Sequence, residues 1–507
     1  MIGTREDAVV SRSAGEMREA ADTLRRRQTT VLLAPEQGFS SRYLLRTDIY
    51  RTLKESGAHL VILSPHAREP YFVKEFSGEN VSLEHYDIEA GLAYIASSWL
   101  HRRLRLLRDM TAKKTADLAT FEARRKRDIA RGHWRQRITD RITRGPVMLL
   151  RRSSFLRRSL VALESALFTP RLHDQLFRKY RPDLVVVTSV GNLRGLDVLL
   201  MREARRHRCK VASVVLSWDN SSTRGIGGAA PDFVVAWTPT MKRELVEYQD
   251  FTGGQIFVGG VAHWDRYYCS EGRTREDLFR HFGLDPRRKL VLFATAAPTG
   301  WAELNVEVAH ILGRAIAENS FGSDCQVLVR LHPNYFSQTR EAVAREPLRQ
   351  IEEAAAGYAN VHLTRPKLNS RAVSFDLAAD DAADLQDLLR HSDVVVTSFS
   401  TVMLEACIFD KPVVNVAFAR YSERMGQPYT AVANYAHLKR ILAAGGTRTA
   451  TTPAELLECV NAYLRSPEMD GEGRARIRAQ ECGPYPGTAG RRIGDHLLQL
   501  ADMASHR

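Results

Sequence analysis

The sequence predicts an α/β protein of two Rossmann-like domains, the first carrying a basic helical insertion, and three stretches predict it. Asp384 to Phe418, DLQDLLRHSDVVVTSFSTVMLEACIFDKPVVNVAF, reads helix, strand, loop, helix, strand. Its runs Val394–Thr397 and Val413–Phe418 are β-branched and apolar, as strands buried on both faces require, so the helix between them makes a βαβ crossover. Near the chain start, Thr30 to Ala34, a loop holding Gly38 and a helix from Arg42 to about Glu55 repeat the pattern. From Ile88 to Lys179 strand signals stop and arginine-rich helical segments take over, a block that such a domain does not need.

Composition narrows the class. The 507 residues suffice for two or three domains, and 44% hydrophobic with 8% aromatic residues is usual for a soluble globular chain. No apolar run approaches the roughly eighteen residues of a membrane span. The opening MIGTREDAVVSRSAGEMREA lacks the apolar core of a signal peptide, so a cytoplasmic protein is expected. Six cysteines stand singly with no CxxC, which points to neither a zinc site nor a disulfide framework. The net charge is +14, but residues 101–180 hold 22 of the 73 Lys+Arg and only 7 of the 59 Asp+Glu, so the rest of the chain is near neutral. An excess confined to one segment is not the spread basic face of a nucleic-acid binder, and nucleic acid is not expected as a partner.

In chain order, residues 1–28 read as a polar leader. The first domain, residues 29–275, has strands at Thr30–Ala34, Ala58–Pro65 and Asn80–Tyr86. The insertion follows at about 88–180, with Gly145-Pro146 as its clearest break. Its arginines alternate with Leu104, Leu106, Trp134, Met148 and Phe155, which suits either a solvated hairpin covering the domain or an arm that lies on an anionic membrane surface or holds an anionic acceptor. Strands resume at Pro182–Val187, Lys210–Ser217, Phe233–Trp237 and Gln255–Gly260. The polar turn Asp285 to Lys289 opens the second domain, residues 286–485, with strands at Leu290–Thr295, Gln326–Leu331, Val361–Pro366 and the two of the opening motif. Residues 486–507 read as a closing helix.

In open parallel sheets ligands sit beyond the carboxyl ends of the strands, which after Val394–Thr397 means Ser398-Phe399-Ser400-Thr401. Hydroxyls, free N–H groups at a helix start and the helix dipole together favour a phosphate there. One turn in, Glu405 is placed to accept both hydroxyls of a ribose. Arg330 and His332, at the end of Gln326–Leu331, converge on the same side and are the expected supporting cations for phosphate. The same residues have uses without a ligand: Ser and Thr cap helices, a Glu is favoured in a first turn, and a His before Pro marks a surface turn.

Ser400, Thr401, Glu405 and Lys411-Pro412 resemble the donor-nucleotide segment of glycosyltransferases with the GT-B fold, a segment that non-hydrolysing sugar-nucleotide epimerases and glycerophosphotransferases share. The resemblance covers roughly residues 29–85 and 181–500 and implies two Rossmann-like domains facing a cleft. It implies that Arg330, His332, Ser398, Ser400, Thr401 and Glu405 hold a nucleotide-sugar donor, which is a substrate, with no separate cofactor. The loop after the first strand would face the cleft on the acceptor side, bringing in Glu36, Gly38, Arg42 and Arg46. Ser217-Trp218-Asp219-Asn220 resembles a segment of surface-polysaccharide transferases, which puts Trp218 and Asn220 beside the acceptor. Asp219 is the carboxylate best placed by topology to act as general base, with Glu36 as the alternative; an Asx-type turn is the other use of such an Asp. The closing helix would pack back on the first domain. No metal is expected, because enzymes of this fold neutralise the leaving diphosphate with dipoles and basic side chains, and the chain has no DxD.

The expected function is therefore a glycosyltransferase moving a sugar from a nucleotide-sugar donor to a saccharide or lipid-linked acceptor of the surface-polysaccharide or glycolipid kind, peripheral at the inner face of the cell membrane. One alternative is a CDP-glycerol type glycerophosphotransferase; those enzymes carry a His-Gly acceptor loop and a TDYSS-like donor loop, where this chain has Trp218-Asp219-Asn220 and TSFST. A UDP-GlcNAc 2-epimerase-like enzyme is another, although it expects Gly-Asp where Thr188-Ser189-Val190 stands. From a different class, the basic arm could serve a non-catalytic RNA-binding protein, but it has few aromatics and no RNA-binding signature.

Overall fold

The computed structural model describes residues 28–109, 111, 145–188, 195–223, 226–370, 376–422 and 427–505. The expected leader and the most basic part of the insertion, including Trp134, lie outside these residues, as do Ser189 and Val190.

Seven parallel strands form the first sheet: β1 (Thr30–Leu33), β2 (His59–Ser64), β3 (Val81–His85), β4 (Leu184–Val187), β5 (Lys210–Val214), β6 (Phe233–Ala236) and β7 (Ile256–Val258), in the order β3-β2-β1-β4-β5-β6-β7. Val31 pairs with Leu60 on one side and with Leu184 on the other. The second sheet takes β8 (Lys289–Ala294), β9 (Cys325–Arg330), β10 (Val361–Thr364), β11 (Val394–Thr397), β12 (Val413–Val416) and β15 (Arg448–Ala450), in the order β10-β9-β8-β11-β12-β15. A two-residue hairpin, β13 (Tyr421–Ser422) with β14 (Gln427–Pro428), stands beside it. The central strands are fully buried because each side chain meets a helix layer on its own face. Burying one such Val or Leu side chain contributes about 1.5–3 kcal/mol.

Both sheets reverse strand order once, between β1 and β4 and between β8 and β11. At such a switch point the two flanking loops diverge and leave a crevice. The loop after β11 is Ser398–Thr401, so the topology puts this hydroxyl-rich segment at the second crevice.

The helix expected from Arg42 to Glu55 is two helices, Gly38–Leu45 and Asp48–Glu55. Thr47 causes the break: it leaves helical geometry and its side chain accepts from Ile49 N–H, capping the second helix. Of the segment read as an insertion, both ends cover the sheet, since Ile95 of Ile88–Ser97 and Phe177 of Asp174–Tyr180 are buried against Leu196 and Leu199. Between them, the helices Trp99–Asp109 and Ser154–Leu167 are fastened by charge. Glu164, fully buried, is 2.9 Å from Arg108 and 2.7 Å from Arg202; burial alone would raise its pKa, but His101, Arg108 and Arg202 outweigh it and hold it down at about 2. Arg157 is similarly committed to Asp250, at 2.6 and 2.7 Å. Two of the arm's arginines are thus structural.

The closing helix Ala489–Ser505 belongs to the end of the chain yet packs on the first domain. Asp265 accepts the N–H groups of Ala489 (3.1 Å) and Gly490 (2.6 Å), capping the helix from across the interface. Gly260, at φ +96°, admits the helix there: a Cβ would lie 2.7 Å from that of Ala489.

Candidate active site

The donor-side loop is shaped by residues on three strands. Thr397, ending β11, donates its hydroxyl to Ala294 O on β8 at 3.0 Å. Phe399 then takes φ +51°, a left-handed conformation rare for a bulky residue. Its N–H donates to Asn415 Oδ1 (3.3 Å), and Asn415, fully buried in β12, donates to Thr447 Oγ1 (3.1 Å). The kink delivers Ser400 as the cap of the helix Thr401–Ile408, its Oγ accepting from Val402 N–H at 3.4 Å. A bond that long is weak, so the first-turn N–H groups keep most of their capacity for an anion.

Two buried polar atoms beside this loop have no hydrogen-bond partner among the described residues: Nη1 of Arg330 and Oγ of Ser398. Arg330 is 6% exposed and spends Nη2 on Asp381 Oδ1 at 2.7 Å; Ser398 is 4% exposed. A buried polar group left unmet costs about 1–3 kcal/mol, so native structures seldom keep one without a purpose. The two end β9 and β11, two strands and roughly 10 Å apart, a span that a phosphate group or diphosphate can bridge. His332, just past β9, accepts the Asn334 N–H on Nδ1 at 3.1 Å, which leaves the proton on Nε2. Burial pushes its pKa down to about 4, so at neutral pH it presents a neutral ring rather than the cation that the sequence suggested.

Glu405 is buried where the two domains meet. Tyr267, from the exit turn of the first domain, donates its hydroxyl to Glu405 Oε2. Burial raises the carboxyl pKa above its ordinary value, opposed by the bond from Tyr267, by Arg42, by the Thr401 hydroxyl and by Arg330. Arg42 is half-buried, reaches the same carboxylate electrostatically, and so brings the first helix of the acceptor domain to the donor helix. Gly38 begins that helix. Arg46 instead bridges the domains elsewhere, pairing with Glu75 at 2.7 Å and donating to Leu377 O at 2.9 Å.

On the acceptor side, the Asp219 carboxylate accepts from the hydroxyls of Ser217 (2.5 Å) and Thr223 (3.2 Å), and the residue is half-buried. It caps its own turn and is a reachable carboxylate. Trp218 is 6% exposed, and Asn220 starts the short helix Asn220–Thr223 with its carbonyl accepting from Gln249. Glu36 is 4% exposed and lies by Tyr86, whose hydroxyl pKa is raised by burial and then by Glu36, Asp197 and Glu203. The structure therefore joins Glu405, Thr401, Arg330 and Arg42 in one charged cluster, and sets Glu36 with Tyr86. Among the described residues no group of three or more His, Cys, Asp or Glu side chains is placed to hold a metal ion.

Tyr267 and Asn415 escaped the sequence reading. Asn415 had a signal, a polar residue inside Val413-Val414-Asn415-Val416, an otherwise apolar buried strand. Tyr267 had none, because its partner lies 138 residues away.

Two doubly wound sheets, joined by a closing helix and meeting at Glu405, make up the GT-B fold. The chain belongs to the CDP-glycerol:poly(glycerophosphate) glycerophosphotransferase family, whose model matches residues 228–498, more than half of its length. That family makes it a transferase. No curated protein shows a significant match in sequence. Among solved structures it is similar to a protein assigned as UDP-N-acetylglucosamine 2-epimerase from Listeria monocytogenes (TM-score 0.52, 14% identity, 94% of this chain and 98% of that one). It is also similar to a UDP-N-acetylglucosamine 2-epimerase with TM-score 0.52 at 16% identity, covering 93% and 96%, and to the Neisseria meningitidis enzyme bound to UDP-GlcNAc with TM-score 0.51 at 14% identity, covering 93% and 100%. At such identities the likeness is one of fold.

Proposed function

We propose that the protein moves a group from a nucleoside-diphosphate-activated donor, held by the second domain, to a hydroxyl of a surface-polymer or glycolipid acceptor held by the first. The observation that carries this is the pair of buried, unmatched polar atoms, Arg330 Nη1 and Ser398 Oγ, at the carboxyl ends of β9 and β11. Ser400, Thr401 and the helix start complete an anion site, His332 Nε2–H supplies a neutral donor, and Glu405 takes the ribose. Asp219 accepts the proton of the attacking hydroxyl. With a sugar donor the C1–O bond breaks and its electron pair leaves with the nucleoside diphosphate; the diphosphate charge is met by dipoles already in place.

Two observations pull the transferred group in different directions. The carboxylate of Trp218-Asp219-Asn220, standing where glycerophosphotransferases carry His-Gly, supports sugar transfer. The family match across the donor domain supports a second reading, transfer of glycerophosphate from CDP-glycerol, in which the hydroxyl attacks the β-phosphorus and CMP departs. The purified protein, incubated with a polymer or lipid-linked acceptor fraction and either CDP-glycerol or a panel of UDP-, GDP- and dTDP-sugars, distinguishes them by the nucleotide released. CMP marks the second reading and a nucleoside diphosphate the first; no acceptor-dependent release from any donor overturns both.

The place of action is proposed to be the inner face of the cell membrane. Among the described residues no helix is long and apolar enough to cross a membrane. Of fifteen exposed large apolar side chains among those residues, eleven lie between Leu92 and Leu172, the segment that also carries Arg102, Arg103 and Arg152. Apolar and basic side chains on one segment support attachment to an anionic leaflet.

A further inference from the structure

The turn that carries Asp219 is fastened from both domains. Within its own domain, Gln249 Nε2 donates to the carbonyls of Asn220 and Ser221, each at 3.1 Å, and Ser221 Oγ donates to Glu244 Oε2 at 2.5 Å. From the second domain the helix Ala436–Ala443 reaches across. His437 Nδ1 lies 3.1 Å from Ser222 Oγ, and its ring stands edge-on to Trp218, centroids 4.6 Å apart and planes at 87°. One turn on, Arg440 donates to Glu244 Oε1 at 2.6 Å while its Nε and Nη2 hold Glu481 at 2.5 and 3.1 Å. His437 and Arg440 are three residues apart and so share a helix face. Trp218, Ser221, Ser222, Glu244 and His437 are all buried, which makes this contact dry and its hydrogen bonds expensive to break.

The Asp219 carboxylate itself touches only side chains of its own turn in these contacts. The second domain therefore acts on Asp219 through its neighbours, Trp218 before it and Ser221 and Ser222 after it.

We propose that His437 and Arg440 are positioning residues for the acceptor-side base, holding Asp219 in its working place only while the two domains stand together as they do here. The inference rests on the reading of Asp219 as general base. It gives a two-substrate transferase a safeguard: the base is assembled only when the donor domain has closed on the acceptor domain, which limits loss of activated donor to water. A base misplaced by about 1 Å loses up to about a hundredfold in rate.

Kinetics of the full-length protein test this, with the donor and acceptor that give nucleotide release, alongside binding of UDP and CDP and thermal unfolding. His437→Ala and Ser222→Ala are each expected to lower kcat about tenfold or more with nucleotide Kd changed less than about twofold. The double variant is expected to lose no more than His437→Ala alone, because that variant already removes the contact that Ser222 makes. His437→Asn, which keeps a polar nitrogen near the place of Nδ1, is expected to recover most of the rate. Ser222→Ala is a small change that stands in if His437→Ala fails to fold. Full kcat in either alanine variant, losses that multiply in the double variant, or a loss confined to donor KM would overturn the inference. Asp219→Asn separates the two layers: full turnover there overturns the base assignment and this inference with it, whereas an inactive Asp219→Asn beside a fully active His437→Ala overturns the positioning role alone.

Discussion

The Tyr267 hydroxyl donates to Glu405 Oε2, so a side chain from the last turn of the acceptor domain closes on the helix that opens the donor site. Glu405 thus serves two ends at once, as an interdomain strut and as the proposed ribose partner. Glu405→Ala would confuse them, because it strands the buried Tyr267 hydroxyl as well as removing the carboxylate. Glu405→Gln keeps the shape and an acceptor for Tyr267, and is expected to weaken UDP or CDP binding about tenfold while thermal stability changes little. Tyr267→Phe removes only the strut, and is expected to lower stability in urea by about 1.5–3 kcal/mol with a smaller effect on nucleotide affinity. If titration calorimetry and unfolding return the opposite ranking, Glu405 is a strut alone.

In the proposed anion site Arg330 offers a single unmatched nitrogen. Arg330→Lys keeps a cation near Asp381, so the ion pair survives, but an ammonium at the end of a lysine stem lacks the fork that serves Asp381 and a phosphate together. Affinity for a nucleoside diphosphate is expected to drop about tenfold or more, with the affinity for the bare nucleoside unchanged. Equal losses for nucleoside and nucleoside diphosphate would move Arg330 out of the phosphate site.

Twelve strands could be read from the chain because most are runs of β-branched and apolar residues, and each appears within three residues of its expected ends. The strand expected to reach Ser217 stops at Val214; Val215 N–H still donates to Val235 O at 3.1 Å, and Val215 and Leu216 stay buried outside the strand. β15 was invisible because Arg448-Thr449-Ala450 has no apolar run and sits at a sheet edge beside β12. The donor loop was readable because hydroxyls after a buried strand and before a helix are a local pattern. His437, Arg440 and Tyr267 were not, since their contacts across the domains join residues 138 to 215 positions apart, and no local spacing encodes such a meeting.

His332 is expected to make nucleotide binding pH-dependent. Its folded pKa, about 4, lies below the ordinary value of about 6.5, so between these limits the free protein binds fewer protons than the unfolded chain and gains stability as pH rises. A phosphate beside Nε2 favours the imidazolium and raises that pKa in the complex. UDP or CDP affinity is therefore expected to rise as pH falls from about 6.5 toward 4, with proton uptake seen as a buffer-dependent binding enthalpy. In His332→Gln this component of the pH dependence should vanish. Identical pH profiles for the two proteins would place His332 outside the phosphate contact.

The basic arm is a mixture of committed and uncommitted charge, and the distinction decides what lipid can reach. Arg108 and Arg157 are buried in pairs with Glu164 and Asp250, so they hold the arm to the domain and offer a membrane nothing. Arg103 instead stands over the exposed Trp99 ring at 5.4 Å, and Phe155 on the neighbouring helix is 74% exposed. A cation next to an exposed aromatic suits the headgroup level, where the charge meets anionic lipid and the ring enters the acyl boundary. Vesicles containing phosphatidylglycerol are expected to sediment the protein at low salt, and less as ionic strength shortens the reach of the charges. Trp99→Ser combined with Phe155→Ser is expected to cut that binding about tenfold while leaving turnover on a detergent-soluble acceptor unchanged, because neither ring contributes to the cleft. Wild-type protein that ignores anionic vesicles at low salt, or a double variant that sediments as well as wild type, would reduce the arm to a solvated cover of the first domain.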